Sequence, residues 1–203
     1  MARRRGGTQP MPISETDVVQ AGLRVVERSS LERLTVRAVA EELGVTAPAV
    51  HYHLRDTDGL VSRVVEAVAA QIDVAMDVDT PWIEQYIGMV TAMDRTFLRY
   101  PGTGVYALTV TRPSPAAGRL TDTALGILRK AGFNDGEARE LFTATYLMFV
   151  GWLATRGLAE KGATHPALAA AVGNRLGNDP TEPLDAALRR VLTAGPTTNG
   201  ERP

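Results

Sequence analysis

The sequence predicts an all-α protein in which a small N-terminal three-helix helix-turn-helix domain leads into a larger C-terminal helical domain. Three observations predict it. Apolar residues recur at spacings of three, four and seven along most of the chain, strand-like alternation is absent, and Gly and Pro fall where one helix must stop and another begin. With 203 residues the chain can bury a sizeable core, and its apolar fraction of 44% is ordinary for a globular protein. No apolar run approaches the ~20 residues that cross a bilayer, so no membrane partner is expected. Arg3-Arg4-Arg5 is not followed by an apolar stretch, so no secretory signal is read and the cytoplasm is the expected location.

Residues 1–12 are rich in Arg, Gly and Pro and lack periodicity, which predicts a disordered basic arm; it serves either to reach into a minor groove or merely as a solubilising tail. Ser14 with Asp17 forms a capping-box pattern opening a helix from about 15 to 29, with Val18, Ala21, Gly22, Val25 and Val26 on one face. Thr35 then caps a short helix whose stripe is Val36, Val39, Ala40 and Leu43. Gly44 stops it in the left-handed backbone glycine tolerates, and Thr46 caps a second helix of about two turns with Pro48 in its first turn. Val50 and Leu54 look inward. Ala47, Pro48, Ala49, His51, Tyr52 and His53 look outward or sideways, small or ring-bearing where a solvated helix would carry charge. Two short helices joined this way, the second sized for a major groove, make a helix-turn-helix within a domain spanning 13–57.

The motif resembles the DNA-binding segment of the TetR family of bacterial transcriptional repressors. The resemblance rests on Thr35, on Ala40-Glu41-Glu42-Leu43-Gly44-Val45, and on His51-Tyr52-His53-Leu54. It implies DNA contacts from Thr35, Arg37, Thr46, Ala47, Pro48, Ala49, His51, Tyr52, His53 and Thr57, with Arg37, Ala47, Pro48, Ala49 and His51 reading bases and Tyr52 and His53 touching phosphates. The family usually carries Lys where this chain has Thr57, which weakens one phosphate contact.

A connecting helix follows over 58–76, with Leu60, Val61, Val64, Val65, Val68, Ala69 and Ile72 forming a stripe wide enough to pack on both domains. The larger domain spans 77–194. It holds a helix from Trp82 to Tyr100, a short one near Val105, one from Ala116 to Ala131, a long one from Asn134 to Arg156, and a last one from Pro183 to Ala194; residues 195–203 form a flexible tail. Thr111-Arg112-Pro113, Ala131-Gly132-Phe133 and Pro166-Ala167-Leu168 resemble the tetracycline-repressor subgroup of the family. That likeness implies a dimer built from the long and last helices, through Leu141, Thr145, Met148, Trp152, Leu184, Leu188 and Val191, with Ala144 and Gly151 allowing close approach. The same residues equally fit a monomer core. Trp82, Tyr86, Met89, Met93, Phe97, Tyr106, Met148 and Trp152 form an aromatic and Met-rich set that either lines an adaptable apolar pocket or fills a core. Leu108 stands where the subgroup has a magnesium-chelating His, so a metal-bound tetracycline is not expected.

Enzymatic chemistry finds no constellation. The three His are residues 51, 53 and 165, and the first two diverge on a helix. No phosphate loop, nucleophile elbow or zinc motif is present, no cysteine offers a thiolate, and neither a metal nor another cofactor is expected. The net charge of −1 is compatible with one local DNA face. The reading is therefore a homodimeric repressor that binds a palindromic operator in double-stranded DNA and is released by an unidentified small, largely apolar effector. The alternative is a dimeric DNA-binding regulator with no effector.

Overall fold

The computed structural model describes residues 13–54, 57–74, 79–109, 114–160, 166 and 182–193, and among these all regular structure is helical. The expected arm at 1–12, the tail at 195–203, Thr111-Arg112-Pro113, His165 and Ala167-Leu168 lie outside the described residues.

Helix α1 (Glu15–Arg28) opens on a reciprocal capping box: Ser14 Oγ accepts from the Asp17 N–H at 3.1 Å, and the Asp17 carboxylate accepts from the Ser14 N–H at 2.8 Å. These bonds hold the Asp17 carboxyl below its usual range. A 3-10 turn at Leu31–Arg33 reverses the chain into α2 (Val36–Leu43), where Thr35 Oγ1 accepts from the Ala38 N–H. Gly44 ends α2 at φ 65°, a conformation that favours glycine. Helix α3 (Ala47–His53) follows; Thr46 sits at its N-cap, yet its side chain makes no capping bond. Val18, Val26, Leu34, Val39, Val50 and Leu54 close the core of this three-helix unit.

Helix α4 (Thr57–Ala70) is shorter than the span expected from periodicity, because Ile72 is buried beyond its end without continuing the helix. Met76 lies outside the described residues. Helix α4 packs on α1, α5, α6 and α7 and so belongs to both cores. Gly22 makes its approach to α1 feasible: a Cβ there would lie 2.5 Å from Val64 Cγ2.

The larger unit holds α5 (Trp82–Arg99), α6 (Thr103–Thr109), α7 (Pro115–Lys130), α8 (Asp135–Glu160) and α9 (Glu182–Leu192). Two polar ties inside its core join α5 to α8. The Tyr86 and Thr145 hydroxyls are hydrogen-bonded at 2.6 Å, and burial pushes the Tyr86 phenol up. Asp94, fully buried, pairs with Arg156 and accepts from the Trp152 indole N–H at 3.1 Å. Helix α9 is clamped to α5 by Arg189, which grips Glu84 with two nitrogens.

The two ties differ in cost of removal. Losing the Tyr86 hydroxyl leaves Thr145 still bonded to the Leu141 and Phe142 carbonyls, so Tyr86→Phe is expected to cost about 1 kcal/mol. Asp94→Ala strands Arg156, whose side chain is only 11% exposed, and is expected to cost about 3–5 kcal/mol. Urea denaturation of the two variants checks the ranking.

Candidate functional site

The surface of α3 is divided by packing. Val50 and Leu54 are buried, Ala47, Ala49 and His53 are half-buried, and Thr46, Pro48 and His51 are exposed. Tyr52 is 87% exposed and stacks edge-on against His53 at 5.2 Å between ring centroids. One helix earlier, Arg37 projects from the first turn of α2 with its side chain 87% exposed, and its Nε donates to Glu41 at 3.0 Å. Of the residues expected to touch DNA, Thr35, Arg37, Thr46, Pro48, His51 and Tyr52 are exposed and Ala47, Ala49 and His53 half-buried; the Thr35 hydroxyl oxygen accepts the capping bond of α2, and the Thr57 side chain lies outside the described residues.

That surface is braced from behind. Glu42 takes Arg24 at 2.7 Å and also Arg28, which fixes α2 to α1 and holds the Glu42 carboxyl below its usual range. Arg63 of α4 donates to the His53 carbonyl at 3.4 Å and pairs with Glu15 of α1, tying the last turn of α3 to the helix shared by both cores. A second seam reaches the three-helix unit from α5: the Leu31 N–H donates to the Pro101 carbonyl at 2.9 Å, Arg99 pairs with Glu27, and Gly102, at φ 84°, sits where a Cβ would come to 3.0 Å from the Leu31 Cβ.

Between α4, α5, α6, α7 and α8 lies a cavity of about 540 Å³. Of the residues expected to line a pocket, Met89, Met93, Phe97 and Tyr106 do so. The other four do not border it. Trp82 packs edge-on against Phe133, Tyr86 is bonded to Thr145, Trp152 donates to Asp94, and Met148 packs against the core. Sequence reasoning missed most of the wall: Val65, Glu66 and Ala69 of α4, Ser114, Leu120 and Ala124 of α7, and Tyr146 of α8. The available signals were Arg63 and Glu66, charges within the apolar run of α4. Leu108 also faces this cavity. A second, more open cavity beside the 3-10 turn shares Phe97 and Tyr106 with the first. No cluster of metal-ligating side chains occurs among the described residues.

The expected dimer residues divide by burial. Thr145, Leu184 and Leu188 are buried inside the protomer, so they serve its own core; Leu141, Met148, Trp152 and Val191 are half-buried. The open face of α8 is instead Ala144, Leu147, Gly151 and Ala154, spaced three and four apart, with Leu147 64% exposed and nothing near Gly151. Ala186 and Arg190 of α9 are exposed as well.

Residues 18–64 match the family described as bacterial regulatory proteins, tetR family. The chain is 28% identical over 180 residues to the tetracycline repressor protein class A from transposon 1721 of Escherichia coli, covering 87% of this chain and 78% of that one. Among solved structures, one described as a possible TetR family transcriptional regulator from Streptomyces coelicolor A3(2) superposes with a TM-score of 0.75 at 23% identity, over 89% of this chain and 97% of that one. The Streptomyces coelicolor TetR family protein ActR in complex with actinorhodin superposes at 0.69 and 18% identity, over 90% and 94%. At such identities the structural likeness speaks to the fold alone. No helix among the described residues is long and apolar enough to cross a membrane. The helix-turn-helix built on Gly44 lies inside the stretch that matches the tetR family model, and the helical fold behind it is the one seen in the TetR-family structures.

Proposed function

We propose that the protein is a homodimeric, cytoplasmic repressor that binds a palindromic operator and releases it when a small, largely apolar effector fills the cavity beside α4. The observation that carries this reading is the position of α4: Arg63 on it holds the end of α3, and Val65, Glu66 and Ala69 on it wall the cavity. A ligand that prefers a different setting of α4 would shift the reading helices, and a coupling of ~1–3 kcal/mol changes operator affinity about 5–150-fold. ActR, a family protein of similar fold, was crystallised with actinorhodin, which supports an effector of the small-molecule kind.

One two-turn helix reads few base pairs, so specificity calls for two copies placed about 34 Å apart along successive major grooves. The open stripe Ala144, Leu147, Gly151 and Ala154 supports α8 as the face that joins them, because small residues let helix backbones approach and Leu147 supplies the apolar knob.

The operator is obtained by DNA selection, and three outcomes follow. Arg37→Ala is expected to relax specificity at one base step at a cost of roughly 1–3 kcal/mol, while Tyr52→Phe weakens specific and random DNA alike through a lost phosphate bond. Equal losses on both DNAs for both variants would refute the face assignment. Leu147→Arg is expected to give a monomer in light scattering and to lower operator affinity at least about tenfold, because buried charge at the face opposes pairing. A dimer of unchanged affinity would rule α8 out. Met93→Trp, if folded and dimeric, is expected to lose operator affinity without effector or to stop responding to it; retention of both would remove the cavity from the mechanism.

A further inference from the structure

The cavity wall carries three formally charged side chains, Glu15, Arg63 and Glu66. Glu15 and Arg63 neutralise each other in an ion pair. Glu66 is different. It is half-buried, and among the described residues no cationic side chain pairs with it; its carboxylate faces the start of α7 instead, accepting from the Ala116 N–H at 2.8 Å and from the Ser114 hydroxyl. Ser114 is itself the N-cap of α7 and accepts from the Ala117 N–H at 3.0 Å. Glu66 therefore acts as an outside cap that fastens α4 to α7 through partial positive charge. A carboxylate offers about four acceptor sites, and the described residues use two of them.

We propose that Glu66 selects an effector bearing a basic amine on an apolar body, and that the amine works by competing with the N-terminus of α7 for this carboxylate. The inference rests on the cavity being the effector site and adds the chemistry of what it takes. An ammonium group makes shorter and stronger charge-assisted bonds than a neutral amide or hydroxyl donor, so it draws the carboxylate toward itself. Arg63 is one helical turn away on the same face of α4, holding the His53 carbonyl. Loosening the α4–α7 fastening thus acts on the helix segment that also anchors the end of α3. The apolar body of such a ligand would lie against Met89, Met93 and Phe97. A carboxylate-bearing ligand of the same shape is disfavoured, because it would place like charge beside Glu66.

The test uses the full chain and three matched probes: 2-naphthylmethylamine, 2-naphthylmethanol and 2-naphthylacetate, titrated by calorimetry into wild type and Glu66→Gln. In wild type the amine is expected to bind at least about tenfold tighter than the alcohol, with the acetate weakest. Glu66→Gln keeps the shape and is expected to bring the amine and alcohol within about twofold of each other. Hydrogen exchange at the Ala116 amide is expected to speed up on adding the amine to wild type and to stay unchanged with the alcohol. Alcohol binding with no preference for the amine, or a preference that survives Glu66→Gln, overturns the role of Glu66 and leaves the cavity reading standing. If no probe binds folded wild type, the cavity reading falls and this inference with it. The wild-type comparison of three probes decides the matter even if Glu66→Gln does not fold.

Discussion

The contact on which the rest of the structure depends is the packing of α1 against α4 at Gly22. A side chain there would collide with Val64, and the next neighbours, Leu34 and Leu60, belong to the same apolar knot. The close approach lets a single helix finish the core of the three-helix unit while its far end contributes Val65, Val68 and Ala69 to the larger core. Close-packed interiors resist continuous deformation, so a helix shared by two cores moves as a body or not at all. The polar contacts of α4 lie along the same segment, Arg63 to the end of α3 and Glu66 to the start of α7. Both ends of any displacement are therefore read by bonds one turn apart.

Much of this was legible in the sequence because it depends on local rules. Gly44, the Ser14–Asp17 box and the Thr35 cap are each decided by backbone geometry within four residues, and they fix where α1, α2 and α3 begin and end. The family resemblance rests on Thr35, on residues 40–45 around Gly44 and on residues 51–54, and the match over 18–64 includes them. Thr46 was a partial exception: its position is that of a cap, but the bond is not made.

The parts that were not legible depend on which of two apolar faces meets which neighbour. Helix α8 is apolar nearly all round, since one side packs on α5, α6, α7 and α9 and the other is open. Periodicity reports that two faces exist and is silent on their partners, so Thr145, Leu184 and Leu188 fit a dimer face and a monomer core equally by sequence, and they pack inward. The aromatic and Met set is divided for a related reason, with Met89, Met93, Phe97 and Tyr106 at the cavity and the other four away from it. Large rings are drawn to the core wherever their polar ends find partners, and Tyr86 and Trp152 find theirs in Thr145 and Asp94, each more than fifty residues distant in sequence. Cavities form where side chains are too small to meet. Ala69, Ala117 and Ala124 line this one beside Phe97, Tyr106, Phe142 and Tyr146, and alanines in a helix give no signal of a cavity.

Among the described residues, α1 of the three-helix unit borders the cavity directly through Glu15 and Val19, and two further connections lead there that differ in kind. The seam from Pro101 and Gly102 to Leu31 is a backbone hydrogen bond backed by a close contact at a glycine in the left-handed region, so it transmits position with little play. The route through Arg63 and Glu66 consists of half-buried side-chain bonds, whose partners can be exchanged for a ligand or for water at modest cost. Helix α6 carries Tyr106, a wall of the cavity, and follows directly from the stiff seam. On the reading proposed above, the stiff seam serves as the pivot and the exchangeable bonds as the moving side. The three-helix unit, braced internally by Glu42 between Arg24 and Arg28, would then keep its own shape. What a ligand changes under that division is the setting of the whole unit relative to its twin, and groove spacing along DNA is sensitive to that setting because two reading helices must meet successive major grooves together.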